Sequence, residues 1–149
     1  MTKDELGAIA AKLEELLTFF GYNVAVTPEE QGRTVHLNIE TSEGARLIGH
    51  RGETLAAIQH IMNSMHQEAD DKHYIVVDVA GYKEARAHRL AEKVQMDAKK
   101  VIETGNPHRL RPMNAAERRI VHMALAEVEG VATESEGEGR DRRVVIVPA

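Results

Sequence analysis

The sequence predicts an α+β protein built from two small modules, and three observations carry that expectation. Stretches with apolar residues at helical spacing alternate with short runs rich in β-branched residues. A glycine-bounded turn, Gly49-His50-Arg51-Gly52, joins a short apolar helix to a longer one. Gly81 then marks a change in charge: residues 81–123 carry ten basic and five acidic side chains, against three and eight in residues 1–45. The module boundary is therefore expected there, giving 1–80 and 81–149.

Taken in order, Thr2-Lys3-Asp4-Glu5 has the residues of a capping box, in which hydroxyl and carboxylate each satisfy an amide at a helix start. Leu6, Ile9, Ala10, Leu13, Leu16, Leu17 and Phe20 follow at helical spacing, and Gly21 is a natural stop. Val24 to Val26 predicts a short strand, Pro28 to Gly32 a turn, and Thr34 to Ile39 a half-buried strand. Thr41 or Ser42 is placed to cap a short helix ending at Ile48. Leu55, Ile58, Ile61, Met62 and Met65 predict the buried stripe of a helix over 53–67. Tyr74 to Val79 is the clearest strand in the chain.

The glycine turn is the first candidate site. A residue without Cβ reaches positive φ and allows close backbone approach. Two of them around His50 and Arg51 let the loop press against a sugar-phosphate backbone, with the N-terminus of the next helix pointing the same way. Arg51 is the stronger phosphate partner because it is always charged and bonds in a fork. His50 is mostly neutral at neutral pH. Ile48, with Leu47, Leu55 and Ile58, belongs to the core and in part to the groove wall.

In the second module a polar helix is predicted over 82–103, stopped by Gly105 and Pro107, then an extended segment at Leu110-Arg111-Pro112-Met113. Asn114 caps a helix running to about Val128, with Glu117 at the capping-box position. Arg118 and His122 stand four apart and share a face. That pair either meets nucleic acid or decorates a solvated face, and a buried His122 bonded to a carbonyl is a third arrangement. Arg109 and Arg111 add positive charge beside it, and Val131 to Ser135 and Arg143 to Val147 predict two closing strands.

Short helix, glycine turn and long helix, flanked by strands and preceded by an extra helix and strand, resemble a type II KH domain, whose GXXG loop clamps single-stranded nucleic acid. The helical Arg-x-x-x-His pair after a basic strand resembles the R-three-H domain. In that combination the chain resembles the bacterial Jag/KhpB (SpoIIIJ-associated) proteins over nearly its whole length. The resemblance implies single-stranded RNA as ligand, with single-stranded DNA as a second candidate. It implies Ile48, Gly49, His50, Arg51, Gly52, Arg111, Arg118 and His122 as contact residues. It further implies post-transcriptional control touching cell envelope synthesis, elongation or division, partnership with a small KH protein, and association with a membrane insertase. A protein-interaction adaptor with incidental nucleic-acid binding is the rival reading.

Composition excludes other classes. No cysteine is present, so disulfide frameworks and thiolate metal sites are out. Two Phe, three Tyr and no Trp leave little for aromatic stacking platforms. The eight histidines show no close-set ligand motif, and no Walker-type or nucleophile-elbow motif occurs. Neither catalysis nor a metal or cofactor is expected. Without a long apolar run or a signal-like segment, the expected location is cytoplasmic, with no membrane insertion.

Overall fold

A computed structural model of the chain describes residues 1–67 and 72–149. Contacts divide it into two compact units, Met1–Lys83 and Glu84–Ala149.

In the first unit, α1 (Lys3–Phe19) opens with the expected capping box, Glu5 N–H donating to Thr2 Oγ1 and Thr2 N–H to Glu5 Oε2. β1 (Ala25–Gln31) and β2 (Thr34–Glu40) pair antiparallel across a two-residue turn, and β3 (Tyr74–Val79) joins β2 in parallel, giving the order β1-β2-β3. The helices α2 (Gly44–Ile48) and α3 (Glu53–Gln67) form the crossover between β2 and β3, with a 3₁₀ turn at His50–Gly52 between them. Leu13, Leu17, Val35, Leu37, Ile39, Leu47, Leu55, Met62, Ile75 and Val77 make the core, each nearly or fully sealed from solvent. At about 1.5–3 kcal/mol per large aliphatic side chain, this cluster holds the helix pair on the sheet.

Four expectations are corrected here. β1 runs through Pro28 instead of ending at Val26, because β1 is an edge strand, where a residue without an N–H costs no ladder bond. Phe20 is exposed, since α1 stops at Phe19 and Phe20 only caps it. Thr41 does not cap a helix directly: its Oγ1 accepts from Glu43 N–H, and α2 begins at Gly44 with no side-chain cap. Ile61 and Met65 are largely exposed, while Asn63 and His66 are buried. The face of α3 has turned toward the edge of β3, whose backbone groups require polar partners. Asn63 Oδ1 accepts from Ile75 N–H at 2.8 Å and its Nδ2 donates to Ile75 C=O at 2.7 Å. Gln59 Oε1 accepts from Val77 N–H at 3.0 Å. Side-chain amides thus occupy an edge that could otherwise pair with another chain.

In the second unit, α4 (Tyr82–Thr104), whose first two residues belong to the first unit, is followed by β4 (His108–Arg109), α5 (Ala115–Leu125), β5 (Val131–Glu136) and β6 (Arg143–Pro148). The sheet is antiparallel with order β4-β6-β5. Leu90, Val94, Ala98 and Val101 of α4 pack with Val121 and Leu125 of α5 and with Val144 and Ile146 of β6. The Asn114–Glu117 capping box forms as expected, but α5 ends at Leu125, earlier than the predicted Val128. Glu117 also receives the guanidinium of Arg86, which ties the start of α4 to α5.

Candidate nucleic-acid interface

The Gly49–Gly52 hinge is built on alternating backbone handedness. Gly49 sits at φ 72, ψ −167, a region essentially restricted to glycine. A Cβ there would fall on Thr54 Oγ1 and lie 2.7 Å from Thr54 Cβ. Gly52, at φ 78, would place a Cβ 3.2 Å from the ring of Tyr82. Between them His50 is helical and Arg51 lies in the left-handed region at φ 54, ψ 28. Arg51 has a Cβ, so this conformation costs about 1–2 kcal/mol. A helical residue followed by a left-handed one turns successive amides inward, a concavity suited to an anion.

The hinge is held from behind: Gly49 N–H donates to Ala45 C=O at 3.0 Å, and Glu53 N–H to His50 C=O. The side chains of His50 and Arg51 are exposed, while Ile48 is half-buried against the core. Among the described residues, neither His50 nor Arg51 is drawn into an ion pair. Arg46, one turn earlier, is engaged, its guanidinium 3.5 Å from Glu43 and over the ring of Tyr22 at 5.6 Å.

Residues 35–39 of β2 leave no open strand edge beside the glycine turn. Those residues belong to the central strand, and the side chains of Val35, Leu37 and Ile39 are fully buried. The strand whose edge faces the helix pair is β3: a Cβ added to Gly44 of α2 would lie 3.1 Å from Val79 Cγ1, and Gln59 and Asn63 of α3 bond along that edge.

In the second unit, Arg118 and His122 line one concavity of about 440 Å³, together with Ala115, Arg119, Met123, Ala126, Ser135 and Arg142. His122 is held at both ring nitrogens: Nδ1 lies 2.6 Å from Thr133 Oγ1 and Nε2 3.1 Å from Ser135 Oγ. This corrects the expectation of a solvated ring or a carbonyl partner. Hydroxyls donate or accept as required, so the imidazole keeps its place in either protonation state. Arg118 donates to Met113 C=O at 2.7 Å and Arg142 to Gly137 C=O at 2.8 Å, which leaves each guanidinium further N–H groups for a ligand. Arg119 is exposed. Arg111 is exposed and does not line this concavity, nor does Arg109, which pairs with Glu136 at 3.0 Å. Arg119 and Arg142 are the members that sequence reasoning missed. Arg119 was legible as the neighbour of Arg118; Arg142 comes from a turn brought back by the β5–β6 pairing.

A glycine-hinged helix pair on a three-stranded mixed sheet, followed by an Arg-x-x-x-His helix on an antiparallel sheet, defines a type II KH domain joined to an R-three-H domain. Family comparison agrees: residues 10–79 match the KH domain of KhpA/KhpB, and residues 85–148 match the R-three-H domain. The RNA-binding protein KhpB of Streptococcus pneumoniae serotype 2 (strain D39) is 30% identical over 139 residues, which is 93% of this chain and 42% of that protein. KhpB of Clostridium symbiosum is 32% identical over 125 residues, 83% of this chain and 56% of that protein. For KhpB of Bacillus subtilis (strain 168) the figures are 32% over 124 residues, 81% and 60%. The chain is similar to KhpB proteins across both domains, and it spans about half the length of these curated relatives. No described helix is long and apolar enough to cross a membrane. Among the described residues no group of three or more His, Asp or Glu is arranged to hold a metal ion.

Proposed function

We propose that the chain binds single-stranded RNA through two sites, one in a KH module (1–80) and one in an R-three-H module (81–149). The observation that carries this reading is the hinge: a glycine-bounded backbone whose two central side chains, His50 and Arg51, stand exposed at the start of α3. Gly49 to Gly52 hold the sugar-phosphate backbone, and Ile48 supports the loop from the core side. Arg118 and His122 contact the strand in the second module, assisted by Arg119 and Arg142, while Arg111 contributes charge at longer range. Two modest sites on one chain raise affinity through effective concentration. The KhpB relatives carry RNA-binding in their names, which supports RNA over single-stranded DNA. The family also motivates post-transcriptional control of envelope synthesis, elongation or division in the cytoplasm. A small KH protein and a membrane insertase are its proposed partners.

Changing His50 and Arg51 together to Asp should leave the fold intact and abolish ultraviolet crosslinking of RNA to the first unit. Undiminished crosslinking in that variant removes the loop from the mechanism. The adaptor reading draws on Phe19 and Phe20, which are 82% and 69% exposed. Salt separates the two: phosphate contacts weaken steeply as ionic strength rises, whereas an apolar docking face responds little.

A further inference from the structure

The hinge supplies one permanent cation, Arg51, for a segment of about four nucleotides, and Arg46 is turned toward Tyr22 and Glu43. A further cation lies against the same helix pair. The first turn of α4 returns to the hinge, where the ring of Tyr82 faces Gly52. The next residue, Lys83, is fixed at its backbone by its N–H to Asp78 Oδ1 at 3.2 Å. Its half-buried side chain crosses to α3, where Nζ donates to Gln59 Oε1. Gln59 is seven residues beyond Gly52, so its backbone stands about 10 Å along α3 from the hinge, and its side chain, with the ammonium bound to it, leans back toward the hinge.

Resting on the RNA-binding reading above, we propose that Lys83 is a phosphate-binding residue of the KH site, taking the phosphodiester that follows the one held at the hinge. Three features fit that role. The ammonium's partner is a neutral amide oxygen, so its charge is not cancelled by the bond that positions it. An ammonium has three N–H groups, and Gln59 takes one. Gln59 is itself fixed by Val77 N–H and by its own donation to Tyr74 Oη at 3.0 Å, so the lysine is pre-positioned. Asp78 is the acidic neighbour, and its Oδ1 is occupied by the amides of Val79 and Lys83. Burial pushes the lysine's pKa down, with Asp78 opposing in part. The charged form is therefore under-solvated and only partly compensated by Asp78, so a phosphate oxygen would add favourable counter-charge.

The test uses the full chain and a fluorescein-labelled oligouridylate, with Kd measured across a potassium chloride series for Lys83→Gln and Lys83→Arg. Removing one phosphate contact from a single strand should lower the slope of log K against log salt by about 0.7 and weaken binding severalfold. Lys83→Arg should restore both. An unchanged slope and Kd in Lys83→Gln overturns the proposal. Arg51→Asp, run in parallel, separates the two levels: if it loses affinity and Lys83→Gln does not, only the role of Lys83 fails. If both bind as the parent does, the KH reading fails with it. Amine acetylation of the unmodified protein, read by mass spectrometry, covers the case of a misfolded variant. Bound oligouridylate should protect Lys83, and equal labelling with and without it also overturns the proposal.

Discussion

Gly49→Ala is the perturbation whose cost the backbone defines most closely. At φ 72, ψ −167 an alanine occupies a region that costs about 1–3 kcal/mol for a residue with Cβ. The added carbon would also fall on Thr54 Oγ1, 2.7 Å from Thr54 Cβ and 3.1 Å from Thr54 N. Forcing α3 away from the hinge adds about 1–3 kcal/mol, the usual range for overpacking. Destabilisation of the first unit by about 2–6 kcal/mol is therefore expected. All three tyrosines (Tyr22, Tyr74 and Tyr82) lie in that unit and the chain has no tryptophan, so tyrosine fluorescence during urea unfolding follows it selectively. Adding Thr54→Gly removes the side-chain clash but not the unfavourable φ, so the double variant should recover part of the loss, with a coupling of about 0.5–3 kcal/mol. RNA affinity should fall with Gly49→Ala even in the absence of urea, where the unit remains folded. An unchanged tyrosine transition together with unchanged affinity would refute the reasoning about the hinge.

Other perturbations have defined outcomes. Asn63→Leu strands Ile75 N–H and C=O beneath α3, and at about 1–3 kcal/mol per buried unpaired group the tyrosine transition should shift to markedly lower urea. Thr133→Val combined with Ser135→Ala frees the His122 ring, which should weaken RNA binding in filter assays while circular dichroism stays unchanged. The amino terminus, and after it His73, holds the Glu30 carboxyl below its ordinary value of 4.5. A lowered folded-state pKa gives stability that is present above pH 4.5 and lost as pH falls through the folded value. Glu30→Gln should accordingly flatten the decline in urea midpoint between about pH 6 and about pH 3.

The sequence announces what depends on local spacing. Thr2/Glu5 and Asn114/Glu117 cap their helices as written, and the glycines at 49 and 52 mark the hinge because few residues can replace them. What depends on tertiary pairing was hidden. Pro28 reads as a turn until β1 is known to be an edge strand, and Met65 reads as core until α3 is seen to turn Asn63 toward β3. The hydroxyls holding His122 lie 11 and 13 residues away, and only the β5 strand alternation that puts Thr133 and Ser135 on one face hints at them. Arg142 joins the second site only through the β5–β6 pairing, and Lys83 acquires a meaning only once the start of α4 is found against Gly52.

The most direct measurement is an amide ¹⁵N–¹H titration of the chain with an oligouridylate of about eight nucleotides, two clamp lengths. The backbone amides of His50, Arg51 and Gly52 should shift first in the KH module, together with those around Arg118 and His122 in the other. Saturable binding that leaves the three hinge amides where they were would contradict the idea that this stretch of backbone is what receives the strand.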